Sequence, residues 1–128
     1  MGYRTPITRI AVVDADNALG ASLSSQLRAL GYDARGYASA DEFLRVLPQF
    51  APRCLISDVE MPGMDGEQLQ ARLRGAGYRL PIIFLAALSS QAVRERLLDA
   101  GAYALLAKPV DPDTLAACLA AALAAAPG

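Results

Sequence analysis

Residues 54–66 read Cys54-Leu55-Ile56-Ser57-Asp58-Val59-Glu60-Met61-Pro62-Gly63-Met64-Asp65-Gly66. The apolar run at Leu55 and Ile56, cut off by a Pro-Gly turn, predicts a short buried strand from Leu55 to Ser57. Asp58 stands where that strand ends. Open α/β sheets place their chemistry just past the carboxyl ends of their strands. Met61, Pro62 and Gly63 force a tight loop, and Gly66 is expected to take backbone angles that other residues avoid. A carboxylate in this position also serves as an ordinary turn former. Asp58 therefore gains meaning only from partners elsewhere in the chain.

The chain on either side repeats the same unit. Ile7 to Val13 ends in a continuous apolar run, as a central parallel strand should. Asp16 or Asn17 can cap the helix that follows, in which Leu19, Leu23, Leu27 and Leu30 recur at helical spacing before Gly31. Tyr32 to Tyr37 is a weaker strand, and Gly36 argues for an edge position or a bulge. Ser39 with Glu42 forms a capping-box pattern; Phe43, Leu44 and Leu47 are the buried side of that helix, and Pro48 is expected to stop it. Beyond the Asp58 loop, Glu67 to Arg74 reads as a helix with Leu69 and Leu73 inward, and Asp65 reads as a loop-shaping residue. Pro81 to Leu85 is a strand, Ser89 or Ser90 caps a helix with Val93, Leu97 and Leu98 facing the core, and Gly101 ends it. Tyr103 to Leu106 is a short fifth strand. Pro112 and Asp113 open a last helix with Leu115, Leu119 and Leu123 as its apolar stripe.

Strand and helix thus alternate five times with short connections. That order implies right-handed crossovers and a doubly wound, five-stranded parallel sheet covered on both faces. A single domain over residues 1–128 is expected, with residues 124–128 reading as the start of a linker.

Composition bounds the chemistry. Hydrophobic residues make up 54% of the 128 and charged ones 20%, enough apolar content for one packed core. The net charge of −1 gives no electrostatic reason to bind nucleic acid directly. The chain has no His, which removes the commonest general base and zinc ligand. Cys54 and Cys118 lack metal-ligand spacing and read as small apolar residues. Met1 to Arg9 lacks the apolar segment of a signal peptide, and the longest uncharged apolar run, Leu115 to Ala126, is short of the roughly 20 residues a membrane span needs. A soluble, cytoplasmic protein is expected.

Three charged residues fall just after the first, third and fifth strands: Asp14, Asp58 and Lys108. In a doubly wound sheet they share one rim. Two acids there suit a hard divalent cation such as magnesium. A lysine is a point charge that can meet a phosphoryl oxygen. An Asp carboxylate can accept a phosphoryl group as a nucleophile. These parts suffice to accept such a group but not to turn over a metabolite, so an enzyme is not expected.

Val12-Val13-Asp14, the Ile56 to Gly66 segment, Pro81-Ile82-Ile83-Phe84-Leu85 and Lys108-Pro109 together resemble the receiver domain of bacterial response regulators. Gly31-Tyr32 and Ala38 to Leu44 look most like receivers that precede helix-turn-helix output domains, the FixJ-like group. The resemblance implies the flavodoxin-like strand order 2-1-3-4-5. It makes Asp58 the phosphoacceptor for a histidine kinase or phosphotransfer protein. Asp14, Asp58 and the backbone carbonyl of Glu60 would hold Mg2+, and Lys108 would contact the phosphoryl group, with a cis peptide before Pro109. It also implies a dimer through the fourth helix, fifth strand and last helix, and a DNA-binding output domain in a longer parent.

Three positions depart from the family's pattern. Ala15 stands where a second acid usually contacts the metal; losing one charged ligand should cost at least ~1.4 kcal/mol, tenfold in affinity. Asp16 lies one residue further on and could substitute. Ala86 stands where a Thr or Ser hydroxyl usually follows the phosphoryl group, and Leu105 where an aromatic usually swings inward, with Tyr103 displaced by two positions. The alternative expectation is therefore a degenerate receiver, a pseudo-receiver that serves as an interaction or dimerisation module without phosphorylation.

Overall fold

The computed structural model describes residues 7–87 and 90–126. Ten elements alternate strictly: β1 (Arg9–Val13), α1 (Asn17–Ala29), β2 (Asp33–Tyr37), α2 (Ala40–Phe50), β3 (Cys54–Asp58), α3 (Gly66–Gly75), β4 (Ile82–Ala86), α4 (Gln91–Asp99), β5 (Ala104–Ala107) and α5 (Pro112–Ala125). The strands are parallel, in the order β2-β1-β3-β4-β5, so the chain reverses its direction of winding between β1 and β3. β2 is an edge strand, as Gly36 suggested.

The central strands point successive side chains to opposite faces. Ile10 and Val12 of β1, Cys54 and Ile56 of β3, and Ile83 and Leu85 of β4 join Leu23 and Leu27 of α1 and Leu115, Leu119 and Ala122 of α5. Ala11 and Val13, Leu55, and Ile82, Phe84 and Ala86 join Phe43, Leu47 and Phe50 of α2, Leu69 and Leu73 of α3, and Leu97 of α4. The free thiol of Cys54 is fully buried in the first of these layers, and burial pushes its pKa up to about 12. It is the inert, packed cysteine expected.

Several boundaries differ from the sequence reading. Pro48 does not stop α2, which runs on to Phe50. Pro48 sits in the last turn, where only one intrahelical bond is lost, and buried Phe50, edge-on to the Tyr37 ring, holds that turn in place. Leu30 and Leu98 are exposed rather than core: Leu30 is the C-cap of α1, beyond its buried stripe, and Leu98 follows core residue Leu97 by one position, which on a helix turns its side chain to a different face. The Ser39–Glu42 box is split. Ser39 Oγ accepts from the Glu42 N–H at 3.1 Å, but the Glu42 carboxylate accepts from Ala38 N–H at 3.3 Å, not from Ser39. β1 opens at Arg9, not Ile7, β5 is shifted one residue on, and Ala124 and Ala125 continue α5 rather than begin a linker. Ser90 caps α4; Ser89, Pro127 and Gly128 lie outside the described residues.

Arginines pin the opposite edge of the sheet, where the helices end. Arg74 Nη1 donates to the carbonyls of Tyr78 and Leu80 at 3.0 and 2.9 Å, and its Nη2 to that of Gly101 at 3.1 Å. Arg28 donates to the Ala34 carbonyl at 2.8 Å, and Arg9 to that of Phe50 at 3.3 Å. Helix carboxyl ends carry unsatisfied carbonyls and partial negative charge, which cations offset. Arg9, Arg28 and Arg74 are thus committed to the fold at that edge.

Candidate functional site

Asp58 is the last residue of β3, and its neighbours fix its backbone closely. Ser57 Oγ donates to the Asp58 carbonyl at 2.9 Å, and Val59 N–H donates to the Leu85 carbonyl at 3.1 Å. The Gly66 N–H donates to the Val59 carbonyl at 2.8 Å. Gly66 has no positive φ; the glycine is needed for space. A Cβ there would lie 2.6 Å from the Asp58 carbonyl oxygen. The sequence reading had the right residue and the wrong reason. Asp65 caps α3 in a complete box: its side chain accepts from Gln68 N–H at 2.8 Å, and the Gln68 side chain accepts from Asp65 N–H at 2.9 Å. Asp65 therefore shapes the loop, as expected.

Asp14 follows β1 and is buried, its side chain 1% exposed. One of its carboxylate oxygens accepts from the Asp16 N–H at 2.9 Å. Lys108 follows β5, ahead of a cis Lys108–Pro109 peptide. Its ammonium lies 3.0 Å from Asp58 Oδ2 and 3.3 Å from Asp14 Oδ2. Three residues separated by most of the chain meet in one ionic cluster, as their strand ends required.

The electrostatics follow from one ammonium facing two carboxylates. Burial pushes the Asp58 carboxyl above its ordinary range; the hydrogen bond and charge of Lys108 pull it back in part, and Asp14's negative charge pushes it further up. Burial by itself would make Lys108 a weaker base. Its pairing with Asp58 and Asp14 outweighs that, and the ammonium holds its proton more firmly than an ordinary lysine. One negative charge is left over, in an all-oxygen setting. That is a donor set for a hard cation, since magnesium needs only one or two protein carboxylates and keeps several waters.

The three departures can now be placed. Among the described residues, no group of three or more His, Cys, Asp or Glu side chains assembles as a metal cluster. Asp16, the acid directly after Ala15, is exposed and caps α1 with one carboxylate oxygen, which accepts from Leu19 N–H at 3.1 Å. Ala86 ends β4 beside the cluster, its carbonyl accepting from the Lys108 N–H at 2.9 Å, with no hydroxyl to offer. Leu105 pairs with Phe84 in register and is half-buried against the α2–α4 layer, while Tyr103 lies outside β5 and is exposed. Glu60 is exposed in the loop just past Asp58.

The response regulator receiver domain model matches residues 10–120, nearly the whole described chain. The chain belongs to the response regulator receiver family. Receiver domains of this family generally bind Mg2+ at their phosphorylation site. Response regulator protein TmoT of Ectopseudomonas mendocina is 36% identical over 118 residues, covering 92% of this chain and 54% of that protein. Transcriptional regulatory protein FixJ of Bradyrhizobium diazoefficiens is 32% identical over 114 residues, covering 89% of this chain and 56% of FixJ. Among solved structures, a receiver protein from Burkholderia phymatum superposes with a TM-score of 0.80 at 42% identity, over 94% of this chain and 99% of that one. This receiver spans about half the length of the curated relatives it matches. No helix among its described residues is long and apolar enough to cross a membrane.

Sequence reasoning missed two contacts next to the site. Glu67 of α3 pairs with Arg96 of α4 at 2.7 and 3.3 Å, and buried Gln70 donates to the Leu97 carbonyl at 3.1 Å. A signal for the second was present: Gln70 shares the inward stripe of Gly66, Leu69 and Leu73, an unusual place for an amide.

Proposed function

We propose that this chain is a phosphoacceptor receiver in two-component signalling, taking a phosphoryl group from a histidine kinase or phosphotransfer protein onto Asp58. The observation that supports this best is the Lys108 ammonium held between Asp58 at 3.0 Å and Asp14 at 3.3 Å. An Asp58 carboxylate oxygen attacks phosphorus, the new O–P bond forms as the P–N bond of a phosphohistidine breaks, and the imidazole leaves. Lys108 moves from the carboxylates to the phosphoryl oxygens. Asp14, Asp58 and the backbone carbonyl of Glu60 would hold a magnesium ion, which when bound offsets charge on the incoming group. With Ala15 in place of a further acid, that ion binds weakly. The chain transmits a signal and turns over no metabolite. It acts in the cytoplasm as one domain over residues 1–128, within a longer parent that carries a DNA-binding output domain.

Intact mass after incubation with acetyl phosphate and magnesium tests the reading. Wild type gains one phosphoryl mass and Asp58→Asn gains none. An unmodified wild type sinks it.

Ala86 and Leu105 favour a second reading, a pseudo-receiver that binds partners without phosphorylation. Neither residue supplies the polar or aromatic group that would report a phosphoryl group to β4 and β5. Under either reading, self-association uses α4, β5 and α5, where Leu98 and Tyr103 are exposed and no charge follows Asp113. Light scattering should detect a dimer at high concentration; a monomer with and without phosphodonor counts against it.

A further inference from the structure

The residue that opens α3 has no slack against the Asp58 peptide. A Cβ on Gly66 would meet the Asp58 carbonyl oxygen at 2.6 Å, Phe84 Cε1 at 2.9 Å and Val59 Cα at 3.0 Å. The Gly66 N–H is bonded to the Val59 carbonyl at 2.8 Å, and the Asp58 carbonyl is itself held by Ser57 Oγ. Any displacement of the Asp58 backbone is therefore passed to the first turn of α3. Close-packed elements shift together rather than compress.

The same helix is fastened to α4 at two levels. At the surface, Glu67 grips Arg96 with both carboxylate oxygens, at 2.7 and 3.3 Å. Inside, one turn further along, Gln70 Nε2 donates to the Leu97 carbonyl at 3.1 Å, and that carbonyl also accepts the Ala102 N–H at 3.0 Å. Gln70 is 1% exposed, yet among the described residues its Oε1 has no hydrogen-bond partner. A buried amide oxygen left unpaired costs stability, and a Leu or Met in that place would not incur the cost. The amide is a poor choice for packing alone. What it supplies is a directed bond between α3 and the backbone of α4.

We propose that α3 is the lever joining the Asp58 site to α4, with Gln70 as its inner tether and the Glu67–Arg96 pair as its outer one. The inference deepens the reading of Asp58 as the signalling position, but it concerns mechanical coupling and its test uses no phosphodonor. The device needs no hydroxyl from β4 and no aromatic from β5, where Ala86 and Leu105 can form no side-chain hydrogen bond. Gln70 is a coupling residue; it touches neither Asp58 nor Lys108 in the described contacts.

Amide hydrogen exchange across residues 91–99 tests it, in a cycle of wild type, Asp58→Asn, Gln70→Met and the double variant. Asp58→Asn should change exchange in α4 at least threefold in the wild-type background and by less than half of that factor in Gln70→Met. The thermal midpoint of Gln70→Met should equal or exceed that of wild type, whereas a purely structural bond predicts that it falls. Arg96→Gln, an exposed substitution that leaves the core untouched, should weaken the same effect and serves if Gln70→Met folds poorly. An Asp58→Asn effect on α4 that is absent, or that is undiminished in the Gln70 and Arg96 variants, overturns the proposal. Because no phosphoryl group is involved, failure of Asp58 to be phosphorylated would show separately, in the mass experiment.

Discussion

Gly66→Ala should destabilise the protein by about 3 kcal/mol, the upper end of the cost of overpacking a close-packed site. Two effects compete at this position. Gly66 begins a helix without a positive φ, so Ala would ordinarily add ~0.4–1 kcal/mol by restricting the unfolded chain. Against that, the added methyl would sit 2.6 Å from the Asp58 carbonyl oxygen and 3.0 Å from Val59 Cα, both backbone atoms that cannot swing aside. The clash wins. Relief requires α3 to withdraw from β3, which also moves the Asp58 carboxylate relative to Lys108. Urea denaturation should show the loss in the midpoint, and phosphoryl uptake should fall with it. A variant as stable as wild type would mean that the loop yields easily and that the Asp58 backbone is not held as described.

Lys108→Met should cost about 3 kcal/mol at neutral pH, because it leaves two largely buried carboxylates facing each other without their cation. The pH dependence identifies the cause. The Lys108 pKa is raised above its ordinary 10.5, so its contribution is fully present below that value and is lost as pH rises through the folded-state pKa. The gap between wild type and variant should therefore hold from neutral pH to about pH 10 and close only in stronger alkali. It should also shrink in acid. The Asp58 carboxyl titrates above its ordinary 3.8, so the native state prefers it protonated, and once Asp58 is neutral the ammonium has less to offset. Chemical denaturation of both proteins across this range checks it. A gap that does not depend on pH would assign the loss to packing of the lysine stem rather than to charge.

The fold was legible because its signals are local and repeated. Apolar runs followed by cap signals at Asp16, Ser39 and Ser90, and by Pro112 at the start of the last helix, mark strand-to-helix junctions, whereas the caps at Asp65 and Asp111 emerge only in the structure. Parallel topology then sends every such junction to one rim, so Asp14, Asp58 and Lys108 could be brought together without any contact being visible in the sequence. What stayed hidden depends on tertiary packing. Pro48 reads as a helix stop until buried Phe50 beyond it is known to anchor the turn. Leu30 and Leu98 have core chemistry, but which of two adjacent leucines faces the core, and where a helix ends, are set by docking: Leu97 is buried beside exposed Leu98, and Leu30 is left at the cap of α1. Gly66 was notable in sequence for its flexibility, whereas its function is to be small. Asp16 could be read either as a cap or as a substitute ligand, and its capping bond to Leu19 N–H depends only on local helix geometry. Gln70 and the Glu67–Arg96 pair join segments some thirty residues apart, and nothing local to either segment pairs them.

Asp58, Asp14 and Lys108 share one electrostatic site, which carbon-13 NMR titration of the Asp58 side-chain carboxyl probes in wild type, Lys108→Met and Asp14→Asn. The midpoint should lie above the ordinary 3.8 in wild type, higher when Lys108 is removed and lower when Asp14 is neutralised. A midpoint that neither substitution moves would show that the three side chains do not act on one another.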